Sequence, residues 1–378
     1  MRKWLTFAVL GLAVALMFGA LSLQAADTIK IGVIAPLTGP AAESGRYQTQ
    51  GARLAVEEIN KAGGVLGKRL ELVIEDDQTT NPGGIMAFSK LAGSKDISAF
   101  IGSVRSTQVN AMSPDVIKVG KPVMIGGTDP TLTHMGNPWY FRFRPNDSYS
   151  ARVMADYGVK TLGKRKWAIV HSTDTFGTTG MKNLVASLKD MGIEPVLVQG
   201  YTNNSQDFTP VAIALKRSGA DVMASYITFE PDLGVLARQL RQLGVNIPWI
   251  GSATNMSTTA LRLAGSTLND TFVVADFNSE SCPAAQAYTA GYEAAYKTRP
   301  DHFSAWAYDA THVLALAINN AKSTDPEKIR QAIIAIKNYK GAEGTYNFDK
   351  NGDGLHGYNV VKNVNGKIVF DKHIDFKD

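Results

Sequence analysis

The chain has 378 residues, which is enough for two domains of ordinary size. Hydrophobic residues make up 44% of it and charged residues 19%, a globular composition that excludes a largely disordered chain, a collagen-like chain and a coiled coil. The formal net charge is only +5, and the sequence contains no run of five or more basic residues. Because nucleic-acid binding needs a clustered cationic face, we do not expect a nucleic acid as partner.

The first residues predict export from the cytoplasm. Arg2 and Lys3 form a short positive segment, a long apolar stretch follows, and small residues end it, so we place signal-peptide cleavage near Ala25 or Ala26. The alternative is an uncleaved membrane anchor, because about 20 apolar residues can span a bilayer. No cysteine stands at the cleavage position, which disfavours a lipoprotein. We therefore expect residues 1–26 to be a signal peptide and the rest of the chain to lie in the periplasm.

Strand-like and helix-like segments alternate from residue 27 onwards, which is typical of parallel strands with crossover helices. The first series of predicted elements covers 29–37, 46–62, 70–76, 82–94, 97–103, 107–119 and 122–126. The second series covers 166–172, 175–191, 195–201, 207–218, 221–228, 231–244 and 248–252. Both series predict an open, doubly wound α/β sheet.

The region after residue 270 completes the predicted fold. Its elements are a strand at 271–277, helices at 283–298, 303–321 and 326–337, and hairpin strands at 358–364 and 367–371 around Asn365-Gly366. We expect the chain to cross between two lobes three times, with the late helices completing the first lobe. The predicted lobes are 27–146 plus 276–357, and 147–275 plus 358–378.

The segments that follow the predicted strands favour a ligand site. In open parallel sheets, ligands bind beyond the carboxyl ends of the strands. These places hold small hydroxyl residues, glycines and two phenylalanines, a set that suits a compact polar group beside an apolar wall. Helix capping is the simpler explanation for any single position. Their recurrence across both series favours a cleft between the lobes.

Motifs that would indicate an enzyme or a metal site are incomplete. Residues 63–69 lack the glycine spacing and the final Ser or Thr of a phosphate-binding loop. Residues 349–354 begin like a calcium loop, but Val360 stands where a bidentate Glu is required, so they predict a tight turn. The histidines lack the spacing of metal ligands, and Cys282 lacks the partners of a catalytic thiol. We expect no catalysis, no cofactor and no metal, and an exported hydrolase is the weakest alternative.

The segments IKIGVIAPLTGPAAESG, FIGSVRSTQ, PVMIGGTDPTLT and AIVHSTDTFGTTG resemble the periplasmic binding proteins of the branched-chain amino acid (Leu/Ile/Val) transport family. The resemblance covers nearly the whole chain after the leader. It implies two α/β lobes, joined by three hinge strands, that close on a small ligand and deliver it to a membrane ABC permease. The expected protein is a monomer that binds a small carboxylate. The alternative is a ligand sensor of the same fold that signals to a membrane partner.

The resemblance also implies roles for residues of the first lobe. Arg105 or Ser106, together with Thr128, correspond to the residues that hold the ligand carboxylate. The backbone of Gly126 corresponds to a partner of the ligand ammonium, and Ser44 falls near a contact to the ligand side chain. Arg105 adds a full positive charge for an anion. The alternative places Arg105 in solvent at the rim of the cleft.

The second lobe departs from the family pattern at one position. Phe176 and Phe229 stand where amino-acid binders of the family often carry tyrosines. Ala253 stands where those binders carry the Glu or Asp that pairs with the ammonium, and a buried ammonium without such a partner is costly. We therefore expect a neutral or anionic analogue to bind better than an α-amino acid. Three other acids could still supply the missing charge: Glu230, Asp174 and Asp276.

Overall fold

The computed structural model describes residues 28–376. The predicted signal peptide at 1–26 lies outside the described residues. Within residues 28–376, no helix combines the length and the apolar character that crossing a membrane requires.

The first lobe is built on a five-stranded parallel sheet. Its strands are β1 (Thr28–Ala35), β2 (Arg69–Asp76), β3 (Ile97–Ile101), β4 (Val123–Ile125) and β5 (Tyr140–Arg142), in the order β2-β1-β3-β4-β5. The connecting helices are α1 (Ala42–Lys61), α2 (Asn81–Ala92), α3 (Ser106–Val119) and α4 (Thr131–His134). From Ile31 onwards β1 is apolar on both faces, because helices cover both. Its Val33 packs in the core beneath α1, whereas the adjacent Ile34 packs in the core beneath α2 and α3.

The second lobe repeats the arrangement with a seven-stranded sheet. Five of its strands are β6 (Trp167–Ser172), β7 (Leu197–Tyr201), β8 (Val222–Tyr226), β9 (Trp249–Gly251) and β10 (Phe272–Ala275), all parallel to their neighbours within this group. The helices are α5 (Asp147–Asp156), α6 (Thr175–Lys189), α7 (Thr209–Arg217), α8 (Glu230–Gln242) and α9 (Thr258–Ala264).

The last quarter of the chain returns to the first lobe and then ends in the second. It contains α10 (Pro283–Tyr296), α11 (His302–Ala321), α12 (Pro326–Ile334) and a small hairpin of β11 (Tyr339–Lys340) and β12 (Thr345–Tyr346). β13 (Gly357–Val364) and β14 (Lys367–Asp375) then join the second sheet as antiparallel strands, in the order β14-β13-β10-β9-β8-β6-β7. The core of the first lobe includes Phe303, Trp306 and Ile329 from these late helices.

The chain therefore passes between the two sheets three times, after β5, after β10 and before β13. The predicted fold class, two doubly wound α/β lobes joined by three chain crossings, is confirmed. The residue boundaries given above for the lobes stay a prediction, which these three passages support.

The sequence analysis missed β5, α4, α5, α9 and the hairpin of β11 and β12. β5 was missed because Arg142, a charged residue, lies fully buried within it. Its Nε donates to Asp353 Oδ1 at 2.8 Å, which gives residues 349–354 a structural partner in place of a cation. The predicted tight turn is present there, since Asp349 Oδ1 accepts hydrogen bonds from the backbone N–H groups of Asn351 and Asp353.

Candidate ligand-binding site

A cavity of about 330 Å³ lies between the lobes, at the carboxyl ends of strands from both sheets. Six of the residues predicted from the sequence line it: Arg105, Ser106, Thr128, Phe176, Phe229 and Ala253. Ser44 and Gly126 are not among the lining residues, although each contacts an arginine that is. The size falls within the range of pockets that enclose small metabolites.

The N-terminus of α3 faces this cavity without a side-chain cap. Arg105, the N-cap residue, makes no capping hydrogen bond, and the first turn of α3 contains no acidic residue. In contrast, Thr80 caps α2 and Asp174 caps α6 through hydrogen bonds to backbone N–H groups. The first N–H groups of a helix have no partner within it, and its dipole favours negative charge there. The start of α3 is therefore suited to a carboxylate.

Ser106 and Thr128 fix the loop that follows β4 against this helix start. The Ser106 hydroxyl oxygen accepts hydrogen bonds from the backbone N–H groups of Thr128 at 3.1 Å and Asp129 at 3.2 Å. The Thr128 hydroxyl donates to Asp147 Oδ2 at 2.7 Å. Both predicted hydroxyls thus line the cavity while already bonded within the protein.

Arg105 reaches from the first lobe to the second. Its Nη1 donates to the backbone carbonyl of Thr228 at 2.6 Å, and its Nη2 donates to Ser44 Oγ at 2.9 Å. The same Nη2 lies 3.5 Å from Glu230 Oε1, in an ion pair between two buried side chains. Arg105 is only 8% exposed, so the alternative that places it in solvent at the rim is wrong.

Glu230, the first of the three acids considered above, is paired with this arginine. It is 2% exposed, and burial raises its pKa while Arg105 opposes that shift. Glu230 does not line the cavity. Within the described residues, Arg105 Nε has no hydrogen-bond partner. The guanidinium group therefore keeps one N–H free for a ligand.

Asp276 and Asp174 also have partners within the protein. Asp276 pairs with the buried Arg144, and although burial alone would raise its pKa, that guanidinium holds the pKa below its ordinary value. Asp174 lines the cavity, but its Oδ1 accepts from the backbone N–H of Gly177 at 2.9 Å and its Oδ2 accepts from Asn203 at 2.8 Å.

Asp147 is an acid that the sequence analysis missed. It lines the cavity at the start of α5, and its carboxylate accepts hydrogen bonds from the Thr128 and Ser150 hydroxyls. Burial raises its pKa to about 7, which shows that the folded protein compensates its charge poorly. The only sequence signal for Asp147 was its place shortly after a strand that was itself missed.

Three phenylalanine rings form the apolar wall. Phe176 and Phe229 were predicted from the sequence, and Phe303 comes from the second residue of α11. The guanidinium carbon of Arg105 lies 5.4 Å from the Phe229 ring centre and 5.1 Å from that of Phe303. His302 precedes Phe303 and also lines the cavity. Neither Phe303 nor His302 was recognised as a site residue. The sequence pattern predicts only a buried helix that begins at Phe303, with His302 directly before it.

Gly126 has a steric role at the edge of the site. Its carbonyl accepts from Arg144 Nη1 at 3.1 Å, and a Cβ atom at this position would lie 2.7 Å from the Trp306 ring. We expect Gly126→Ala to lower the free energy of unfolding by about 1–3 kcal/mol, because the indole cannot move without strain. Urea unfolding at neutral pH measures this change.

The matched control for Gly126 is Gly291 in α10. A Cβ atom there would meet only Glu58 Oε1, at 3.7 Å. We expect Gly291→Ala to be neutral or to stabilise the protein by up to about 1 kcal/mol. Equal unfolding free energies for Gly126→Ala and the wild type would contradict the steric explanation.

Comparisons with known proteins agree with this fold. The family model described as periplasmic binding protein matches residues 28–367. A Leu/Ile/Val-binding protein of Rhizobium johnstonii is 32% identical over 90% of this chain and 93% of its own length. A Leu/Ile/Val-binding protein homologue of Brucella melitensis is 31% identical over 90% of this chain and 93% of its own length.

Solved structures show the same relationship. A type 1 periplasmic binding protein of Bordetella pertussis has a TM-score of 0.84 and 30% identity, over 91% of this chain and all of the other. A leucine-binding protein of Thermotoga maritima has a TM-score of 0.85 and 25% identity, over 92% of this chain and 99% of the other. The resemblance stated from the sequence is confirmed, and this chain belongs to the periplasmic binding protein family.

Proposed function

We propose that this protein is the periplasmic solute receptor of an ABC importer. It captures a small carboxylate between its lobes and delivers that ligand, unchanged, to membrane permease subunits, and it acts as a monomer without a cofactor. The observation that carries the proposal is the cavity at the strand ends of both lobes, with Arg105 spanning from one lobe to the other.

The carboxylate is assigned to the start of α3. The uncapped N–H groups there, the free Nε of Arg105 and the guanidinium of Arg144 together favour an anion. The relatives named for Leu, Ile and Val support a ligand that bears a carboxylate on a small apolar body. The three phenylalanine rings that line the cavity fit such a body.

The ligand lacks an α-ammonium group in this proposal. Ala253 lines the cavity without offering a charge, and the nearby acids Glu230 and Asp276 are paired with Arg105 and Arg144. The guanidinium of Arg105, whose charge is paired with Glu230, offers the cavity its free Nε–H. This donor favours a hydrogen-bond acceptor of the ligand and has nothing to offer an ammonium group.

Closure of the two lobes is the proposed mechanism of capture. Besides the Arg105 contacts, Arg262 Nη2 of the second lobe lies 2.5 Å from Glu43 Oε2 of the first. That pair is exposed and contributes little, so the buried contacts of Arg105 and the ligand itself hold the closed state. A hinge motion that separates the lobes would break all of these contacts together.

A thermal-shift screen followed by small-angle scattering tests the proposal. The screen covers amino acids, keto acids, hydroxy acids, deaminated acids and aromatic acids. A true ligand at 100 times its Kd should add about 2.7 kcal/mol to the free energy of unfolding. The radius of gyration should then fall when that ligand is added. An absence of any stabilised complex, or an unchanged radius of gyration with saturating ligand, would contradict capture by closure.

Uptake into membrane vesicles tests delivery. Vesicles that contain the cognate permease and ATPase should accumulate the ligand only when this protein is added. Mass spectrometry of the accumulated compound should show it unchanged. Binding without uptake would favour a sensor of the same fold.

A further inference from the structure

His302 is a buried side chain in the cavity wall that the carboxylate site does not use. It is the first residue of α11, its exposed fraction is 0%, and it lines the cavity. Within residues 28–376, neither ring nitrogen has a hydrogen-bond partner. A buried polar group without a partner costs about 1–3 kcal/mol, so the partner of His302 is expected from the cavity itself.

Other unpartnered polar atoms surround the same cavity. Besides both nitrogens of His302, lining residues contribute these buried atoms without a hydrogen-bond partner among the described residues: Arg105 Nε, Gln108 Oε1, Asn203 Oδ1 and Ser252 Oγ. Both hydrogen-bond donors and acceptors are present in this group. The occupant of the cavity is therefore polar at more than its carboxylate.

The charges around His302 restrict what it can bind. Burial lowers the pKa of His302 to about 3; Asp276 opposes this shift, whereas the guanidinium groups of Arg144 and Arg105 add to it. The ring is thus neutral at physiological pH, with one nitrogen that donates and one that accepts. A carboxylate can accept from the first nitrogen but has no hydrogen to offer the second.

The accepting nitrogen needs an O–H or N–H group of the ligand. An ammonium group would have to lose its water beside a fully buried ring, where Asp276, the acid that would favour a cation, is already paired with Arg144. A hydroxyl group is neutral and both donates and accepts, so it satisfies His302 without adding charge.

We infer that His302 is a ligand-binding residue that binds a hydroxyl group, and that the ligand is a hydroxy acid. This inference rests on the proposed carboxylate function and names the ligand class of the same cavity. His302 is then the residue that distinguishes a hydroxy acid from its deaminated and amino counterparts, whereas the start of α3 binds the carboxylate that all of them share.

Calorimetry with compounds of one carbon skeleton tests the inference. The probes are leucine, its α-keto acid, its α-hydroxy acid and its fully deaminated acid, with the corresponding phenylalanine series as a second skeleton. Benzoate and para-hydroxybenzoate test a hydroxyl group at a greater distance from the carboxylate. We expect the hydroxy member of at least one set to bind at least about tenfold more tightly than the member that lacks the hydroxyl, which corresponds to about 1.4 kcal/mol.

Variants of His302 assign that preference to the imidazole. His302→Phe should remove the preference while the deaminated acids still bind, and His302→Gln, which keeps a donor and an acceptor, should retain part of it. Tyr288→Phe is the matched control, because it removes a buried polar atom of the first lobe from a residue that does not line the cavity. Thermal melting checks that each variant is folded. If His302→Phe does not fold, His302→Gln provides the test in its place.

The outcomes separate this inference from the proposed function. Equal affinities for hydroxy and deaminated acids in the wild type would overturn the inference and leave the carboxylate function standing. A hydroxyl preference that survives unchanged in His302→Phe, or in His302→Gln where only that variant folds, would overturn it as well. If no carboxylate binds, the proposed function fails, and the inference fails with it.

Discussion

Replacement of Arg105 by methionine is expected to weaken binding of the best carboxylate in the screen by on the order of 100-fold, or about 2.7 kcal/mol. The variant loses the hydrogen bonds to the Thr228 carbonyl and Ser44 Oγ, and it loses the free Nε that faces the ligand. It also leaves Glu230 buried without its cation, which makes the closed state costly. Calorimetry measures the affinity, and small-angle scattering measures whether the lobes still close.

A second variant separates charge pairing from ligand binding. Arg105→Met combined with Glu230→Gln removes the unpaired acid, so stability in urea should recover while affinity stays low. Arg330→Met is the control, because Arg330 pairs with Glu327 on the surface of α12 and does not line the cavity. If Arg105→Met binds the ligand within about threefold of the wild type, the carboxylate site does not include Arg105.

Substitution of Ala253 by glutamate is expected to reverse the preference between leucine and its α-keto acid. The wild type should favour the keto acid by at least about tenfold, because Ala253 supplies no carboxylate to an ammonium and Glu230 and Asp276 are already paired with Arg105 and Arg144. The new glutamate would supply that carboxylate at the start of the turn Ala253–Met256 and would repel a second anion. Calorimetry with both compounds on both proteins measures the change, which amounts to about 100-fold in relative affinity.

Ala253→Gln separates charge from size in this comparison. Glutamine fills the same space but carries no charge, so it should weaken both compounds without reversing their order. A wild-type protein that binds leucine tenfold more tightly than the keto acid would contradict the proposal. Asp147 would then be the acid responsible, since it lines the cavity and its pKa is raised to about 7 by burial.

The sequence by itself determined the architecture. Strand segments such as 31–35 and 167–170 contain no charged side chain and are flanked by helices with one apolar face. This local pattern suffices to predict parallel sheets covered on both sides. Residues that follow such strands come together at one edge of each sheet. This position after the strands, together with the family resemblance, placed six residues at the cavity without a structure: Arg105, Ser106, Thr128, Phe176, Phe229 and Ala253.

Only the tertiary structure decided how the charges of the site are paired. Arg105 and Thr228 are 123 residues apart in sequence, and Arg144 and Asp276 are 132 apart, yet each pair is in contact. The sequence pattern around His302 indicates only the start of a buried helix. The return of the chain to the first lobe is what brings this residue to the cavity. Local patterns reflect propensity and burial, which depend on near neighbours. The pairing of charges depends on which distant segments the lobe crossings bring together.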